Sequence, residues 1–140
     1  MSDHLDYNRS IIAEFRANAG RTTGMLDDAP MVLLTTTGSK SGEPRTAPTL
    51  GMVDGDRVVV VASNAGAPKH PAWYVNMQAD PEVTVEIGEQ TFPARAVTLE
   101  GEERDRFYAR ITAAAPVFAE YRAKAAPREI PVVALERHHP

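Results

Sequence analysis

Residues 45–63 read RTAPTLGMVDGDRVVVVAS, and they decide the fold. Asp54-Gly55 is a hairpin signal, because glycine takes the positive φ of a tight turn and aspartate tolerates it. The flanking runs, 45–53 and 57–63, have β-type composition, so the stretch predicts two strands joined by a turn. Pro48 has no N–H to give to a ladder, which makes the centre of the first strand an edge or a bulge.

Upstream, residues 31–37 (MVLLTTT) predict another strand, and residues 38–44 (GSKSGEP) are a loop by composition. Before them, residues 3–19 predict an amphipathic helix with Leu5, Ile11, Ile12 and Phe15 near one stripe and Gly20 to end it. Downstream, residues 64–70 (NAGAPKH) form a second polar loop, and residues 71–79 a short helix with Pro71 in its first position. Residues 82–87 (EVTVEI) alternate, Gly88-Glu89 turns, and residues 90–98 return. Residues 100–124 are helical but broken near Pro116, and residues 130–136 (IPVVALE) are the last strand. Six strands, mostly in hairpins and without helix–strand alternation, predict a mainly β fold with α: a closed or split antiparallel barrel with flanking helices.

The 140 residues suit one domain, 1–140. A hydrophobic content of 43% is enough for a packed core. A net charge of −4 supplies no global basic field for nucleic acid or an anionic membrane. The absence of cysteine excludes disulfides, thiolate metal sites, iron–sulfur clusters and a cysteine nucleophile, and it suits a reducing cytoplasm. Residues 1–9 lack the apolar run of a signal peptide, and no stretch approaches the ~20 apolar residues of a spanning helix.

Two stretches are nearly free of acid. Between Asp28 and Glu43 the only charge is Lys40; between Asp56 and Asp80 the charges are Arg57 and Lys69, with His70 adjacent. Each holds a Gly-rich loop after a strand. Backbone N–H groups in such loops, joined by a lysine, make an anion cradle, and the 71–79 helix would aim its positive end at the same space. Ordinary turns with solvated lysines would read the same way, and neither loop carries a recognised phosphate fingerprint. Trp73 and Tyr74 follow the second loop, where an aromatic either joins the core or flanks a planar ring. Ser10, Ser39, Ser41 and Ser63 lack a nucleophile elbow. His4, His70, His138 and His139 form no ligand motif, so no metal is expected; the last two read as a disordered end or an adventitious site.

Residues 33–48 (LLTTTGSKSGEPRTAP) and 60–81 (VVASNAGAPKHPAWYVNMQADP) resemble the deazaflavin-dependent nitroreductase family. So do residues 83–95 (VTVEIGEQTFPAR) and 128–135 (REIPVVAL). The resemblance covers most of the chain after Phe15, and its most specific part is the run around Gly66, Ala67, Pro68, Lys69 and His70. It implies an FMN-binding-like split β-barrel that binds coenzyme F-420, an 8-hydroxy-5-deazaflavin with a phospholactyl group and a polyglutamate tail. Carried over by position, Lys40 and Arg45 would hold the phosphate and tail, helped by Gly38, Ser39, Ser41 and Gly42. Thr46, Ala47 and Pro48 would lie along the ring. Ala62, Ser63 and Asn64 would meet its polar edge, and Lys69 with the 66–70 backbone would contact the phosphate side. Trp73 and Asn76 would support the site from behind. Many relatives carry a basic residue where Ser39 stands here. Nitroimidazole-reducing relatives carry tyrosines in the segment matching 115–121 (APVFAEY), where this chain has Ala115 and Phe118 and keeps Tyr121.

The resemblance implies an F-420-dependent reductase that passes hydride to electron-poor organic substrates: quinones, enones or nitro compounds. Tyr121 is the candidate proton donor. An FMN-dependent split-barrel reductase and a non-catalytic deazaflavin carrier are the alternatives. A homodimer through an exposed barrel face is compatible with the sequence, and nothing in it requires one.

Overall fold

The computed structural model describes residues 3–23, 25–26 and 29–138, with side chains from residue 7 onward. In chain order the elements are α1 (Asp3–Ala17), β1 (Met31–Thr37), β2 (Pro44–Asp54), β3 (Arg57–Val61), a one-turn Asn64–Gly66 element, α2 (Ala72–Ala79), β4 (Glu82–Ile87), β5 (Gln90–Thr98), α3 (Gly101–Ala114), α4 (Val117–Ala125) and β6 (Val132–Arg137). The six strands close into a barrel in the order β1-β2-β3-β6-β5-β4, and β4 returns to β1. Every pairing is antiparallel. The strand count, the hairpins and the helical break at Pro116 are as the sequence predicts.

Alternation along the strands sorts the core into layers. Val32, Leu34, Val58, Val60, Val85, Phe92, Val133 and Leu135 fill the barrel. Their neighbours Val59, Val61, Val132 and Ala134 face out and pack on Phe107 and Ile111 of α3 and Phe118 of α4. Both faces of β3 and β6 are therefore buried, which is why those strands read as unbroken apolar runs. On the other side, Ile11 and Phe15 of α1 cover Met31 and Leu33. Burying one such side chain is worth about 1.5–3 kcal/mol, so each layer contributes to holding the barrel shut. Trp73, Tyr74 and Met77 of α2 belong to the inner cluster, so α2, which joins β3 to β4, closes that end of the barrel. Trp73 is a core residue.

Although the ladder is continuous, it is split along part of β2. Residues 44–50 pair with β1 alone, and β3 joins β2 only from Gly51 to Asp54. The Gly51 N–H donates to the Pro30 carbonyl at 2.9 Å. This puts odd-numbered residues of β2 in the bonds to β1 and turns the backbone of Pro44, Thr46, Pro48 and Leu50 toward the free edge. Both prolines thus stand where no ladder bond is lost, and the edge expected at Pro48 is where the barrel opens.

Some boundaries differ. α1 ends at Ala17 because Ala19 and Gly20 turn left-handed at φ 54° and 90°. β3 stops at Val61 rather than residue 63, where the chain enters another left-handed turn. Pro71 is the N-cap of α2, with ψ at 153°, rather than its first helical residue. β6 starts at Val132 because the Ile130 carbonyl accepts from Arg104 instead of joining a ladder. His138 is ordered, not part of a frayed end: its Nε2 lies 2.6 Å from a Glu82 carboxylate oxygen and its N–H donates to Pro93. His139 lies outside the described residues. No helix among the described residues is long and apolar enough to cross a membrane.

Candidate coenzyme site at the split end of the barrel

β1 and β3 end, and β2, β4 and β6 begin, at the end of the barrel that α2 closes. Both Gly-rich loops are therefore brought to one place, flanking the open edge of β2.

The first loop is tight and exposed. The Gly38 N–H donates to the Glu43 carbonyl at 2.8 Å and the Gly42 N–H to the Gly38 carbonyl at 2.9 Å. Gly42 takes a φ of 72°, which a side chain would strain. The Ser41 hydroxyl accepts from the Glu43 N–H at 3.1 Å, and the Arg45 guanidinium reaches it at 3.5 Å. Asn76 of α2 fixes the loop from below: its carbonyl oxygen accepts from the Ser39 N–H at 3.0 Å, and its amide donates to the Thr36 hydroxyl at 3.1 Å. Asn76 is itself buried, so the contact is shielded from water. Ser39, Lys40 and Arg45 stay exposed. On the strand behind them, the Thr35 and Thr46 hydroxyls meet across the ladder at 2.8 Å.

The second loop is built on a left-handed turn. Asn64, Ala65 and Gly66 have φ of 50°, 53° and 78° in succession. For an L-residue other than glycine this costs roughly 1–2 kcal/mol, so the turn needs support. Arg128, in the segment between α4 and β6, supplies it. Its Nη2 donates to the Ser63 carbonyl at 2.7 Å, its Nη1 to the Ala62 carbonyl at 3.1 Å, and its Nε to the Ala67 carbonyl at 3.0 Å. The same Nη1 lies 3.0 Å from His70 Nδ1. Asn64 turns its amide inward to the Lys69 carbonyl at 3.0 Å, so it braces the loop. Gly66 packs under α4, where a Cβ would stand 3.0 Å from Lys124 Cβ and 3.1 Å from Tyr121 Cα. Glycine is required there for space as well as for φ.

Of the backbone groups expected at a ring edge, the carbonyls of Ala62 and Ser63 are already occupied by Arg128, and the Ala62 N–H by the Pro131 carbonyl. None of these contacts uses the N–H groups of Asn64 and Ala65. Lys69 and Pro68 are exposed, and Lys40, Arg45 and Lys69 have no carboxylate partner among the described residues. Arg16, Arg57, Arg95 and Arg104, in contrast, each pair with one. His70 is half-buried, its ring edge-on to Tyr74 at 4.9 Å. Burial first, and then the Arg128 charge, hold its pKa below the ordinary histidine value.

Tyr121 sits on α4 beside the second loop, half-buried, with its ring 5.4 Å from Phe118. Ala115 and Phe118 are buried in the α3–α4 core, so neither offers surface to a substrate. The residue that sequence reasoning missed is Arg128, which stood in a matching segment without a role. Its partners lie 58 to 66 residues away, so no local pattern marks it.

A cavity of about 490 Å³ opens at the opposite mouth of the barrel, among Gly55, Arg57, Gly88, Gln90 and Arg137. It lies far from both loops, and Arg57 there is neutralised by Asp54 and Glu103. Among the described residues no cluster of three or more histidine or carboxylate groups could hold a metal.

A closed antiparallel barrel, split along part of β2 and carrying exposed cations on the two loops at that end, fits the class of coenzyme-binding barrels. Residues 7–137 match the family described as F-420H(2)-dependent quinone reductase, and the chain belongs to that family. A Mycobacterium tuberculosis protein named as an F-420H(2)-dependent quinone reductase is 35% identical over 131 residues, spanning 89% of this chain and 86% of that one. Among solved structures, one described as an F-420-H2 dependent reductase (FDR-A) is 44% identical with a TM-score of 0.70, covering 76% of this chain and 94% of that one. Another, described as a domain-swapped dimer, is 38% identical with a TM-score of 0.72, covering 94% and 98%. Membership makes the chain an oxidoreductase with reduced F-420 as its reductant, the first of the two coenzymes the sequence left open.

Proposed function

We propose that this protein binds coenzyme F-420 along the split edge of β2 and catalyses reduction of quinones there. The observation that carries the reading is the set of exposed cations, Lys40, Arg45 and Lys69, without carboxylate partners among the described residues, on or beside two loops flanking one free strand edge. A coenzyme with a flat ring, a phosphate and several carboxylates matches that surface in shape and charge.

When bound, the deazaflavin supplies a hydride, two electrons and a proton in one step. The protein binds and orients. Lys40 and Arg45 hold the anionic tail, and Lys69 holds the phosphate with the N–H groups of Lys69 and His70; of the rest of the 66–70 backbone, the Gly66 and Ala67 N–H groups already donate to the Ser63 and Asn64 carbonyls and Pro68 has none. Thr46, Ala47 and Pro48 form the wall along the ring, and the N–H groups of Asn64 and Ala65, for which no partner is seen among the described residues, meet its polar edge. Gly38, Ser39, Ser41 and Gly42 shape the first loop, and Trp73 and Asn76 support the site from behind, Asn76 through its bond to Ser39. Positioning the two reactants dominates the acceleration. Quinone reduction needs one further proton, which Tyr121 or solvent delivers at the carbonyl oxygen.

A quinone fits the site better than a nitro compound. A nitro group gathers negative charge as hydride arrives and gains from nearby phenols. The 115–121 segment offers one phenol, Tyr121, with Ala115 and Phe118 enclosed in the core. We also infer a homodimer, supported by the neighbour described as a domain-swapped dimer. A cysteine-free chain that uses a diffusible reductant fits the cytoplasm.

The test is fluorescence titration with oxidised F-420 and with FMN, followed by steady-state reduction of menadione, a cyclic enone and a bicyclic nitroimidazole. Tighter F-420 binding and menadione as the best acceptor are expected. FMN binding as tight as F-420 would sink the coenzyme assignment, and equal nitroimidazole turnover would sink the substrate preference.

A further inference from the structure

Arg128 and His70 form a pair with a chemical consequence. A guanidinium has only donors, so the Nη1 contact at 3.0 Å requires His70 Nδ1 to be an acceptor. A neutral imidazole that accepts at Nδ1 carries its proton on Nε2. Arg128 cannot swing away without abandoning the carbonyls of Ala62, Ser63 and Ala67, so the tautomer is held by the same contacts that hold the loop.

The other face of the ring is free. Nε2 has no partner among the described residues. The only buried unpartnered side-chain atom described is the Thr22 hydroxyl, so Nε2 is open to solvent. His70 lies between exposed Lys69 and Pro71, the N-cap of α2, whose side chain makes no capping bond. The groups around it are the Arg128 guanidinium from the segment before β6, the Tyr74 ring of α2 and the neighbouring Lys69. Tyr108 of α3 touches the pair only through Arg128's charge. The group is therefore a neutral donor in a cationic setting.

We propose that Arg128 is a positioning residue that fixes His70 as the Nε2–H tautomer, and that His70 uses this N–H as a directed donor to an anionic oxygen of the bound coenzyme. The proposal rests on the coenzyme assignment above. It adds an element that the lysines cannot give: a lysine attracts any anion from many angles, whereas a locked imidazole offers one N–H in one direction. Keeping the ring neutral also keeps the Arg128 contact, since a protonated Nδ1 would have nothing to offer a guanidinium but repulsion.

Substitution can separate the two ring nitrogens. His70→Asn places a carbonyl oxygen near the Nδ1 position, so Arg128 keeps an acceptor while the outer donor is lost. His70→Gln extends an amide N–H toward the Nε2 position. Long-range ¹⁵N–¹H NMR of the coenzyme-free protein at neutral pH is expected to show His70 protonated on Nε2, and Arg128→Met to return it to a tautomer mixture. Titration with oxidised F-420 is expected to weaken about tenfold or more in His70→Asn, the worth of one hydrogen bond to a charged group, and within about threefold in His70→Gln. Melting temperatures of both variants are expected to stay near that of the parent. A proton found on Nδ1 overturns the proposal, and so does His70→Asn binding as tightly as the parent. Equal loss of stability and affinity in both variants overturns it as well, by making His70 merely structural. Failure of the parent to bind F-420 would sink the coenzyme assignment and the donor role together, whereas a parent that binds beside an unaffected His70→Asn sinks the donor role alone.

Discussion

The loop after β1 holds its shape with short bonds of its own, between Gly38, Ser41, Gly42 and Glu43, and with one bond to Asn76 beneath it. The loop after β3 has a strained left-handed turn at its base, and a single guanidinium from the far end of the chain grips its carbonyls. In sequence they look alike, each glycine-rich with one lysine, though the first ends on Glu43 and the second has no acid. In structure the first exposes its cations on a lightly anchored turn, suited to a tail of variable length. The second is gripped at three carbonyls by Arg128, which also holds the His70 ring at Nδ1. Equal composition conceals a division of labour between attraction and orientation.

The sharpest way to break that comparison is Arg128→Ala. It strips three carbonyls and His70 of their partner, each unsatisfied acceptor costing about 1–3 kcal/mol when buried. Because these groups are only partly buried, a total near 2–4 kcal/mol is expected. Amide exchange should accelerate in residues 62–70 and leave residues 38–43 unchanged. Acceleration in both loops would show that they form one unit supported through α2. Arg128→Lys, which can reach one or two of the carbonyls, is expected to fall between.

A smaller effect separates the lysines. Lys40→Ala and Lys69→Ala should each weaken F-420 about ten- to a hundredfold without moving the melting temperature, because a charge-assisted contact is lost and no core contact is touched. The comparison predicts a difference in kind. Lys40, on the first loop, should matter less for a coenzyme form with a shortened tail, whereas Lys69 should matter equally for both. A lower melting temperature with unchanged affinity would make either lysine structural.

How much of this could be read from residues alone follows from the range of each cause. Asp54-Gly55, the alternation of 82–87 and the break at Pro116 are local, and each appears where expected. Pro48 even marked the split, because a missing N–H is a local fact with a topological result. The two loops were legible as cationic and poor in acid. The left-handed turn was not, since alanine at position 65 carries no preference for positive φ, and only tertiary contacts impose it. Arg128 was invisible for the same reason. Ala115 and Phe118 stand where nitroimidazole-reducing relatives carry tyrosines, and only the packing shows that both are enclosed in the α3–α4 core.

The smallest effect tests whether a neutral His70 helps to hold the second loop. Burial and Arg128 hold the folded-state pKa of His70 below its unfolded value of about 6.5. Above about pH 6.5 the ring is neutral in both states and contributes no pH dependence. As pH falls below 6.5, the unfolded chain takes up a proton that the folded protein refuses. Stability attributable to this group therefore declines from pH 6.5 down to the depressed folded pKa, and levels off below it. Once the folded ring does protonate, Nδ1 stops accepting from Arg128, so F-420 affinity should drop over that lower range. Denaturant melts between pH 5 and 8, compared between the parent and His70→Asn, isolate the contribution, because the other titrating groups are common to both. The expected result is a parent curve that loses stability relative to the variant on acidification. A difference that stays flat, or one that grows in the parent's favour as pH falls, would mean that His70 accepts a proton readily in the folded state and that Arg128 holds the loop by its carbonyl contacts alone.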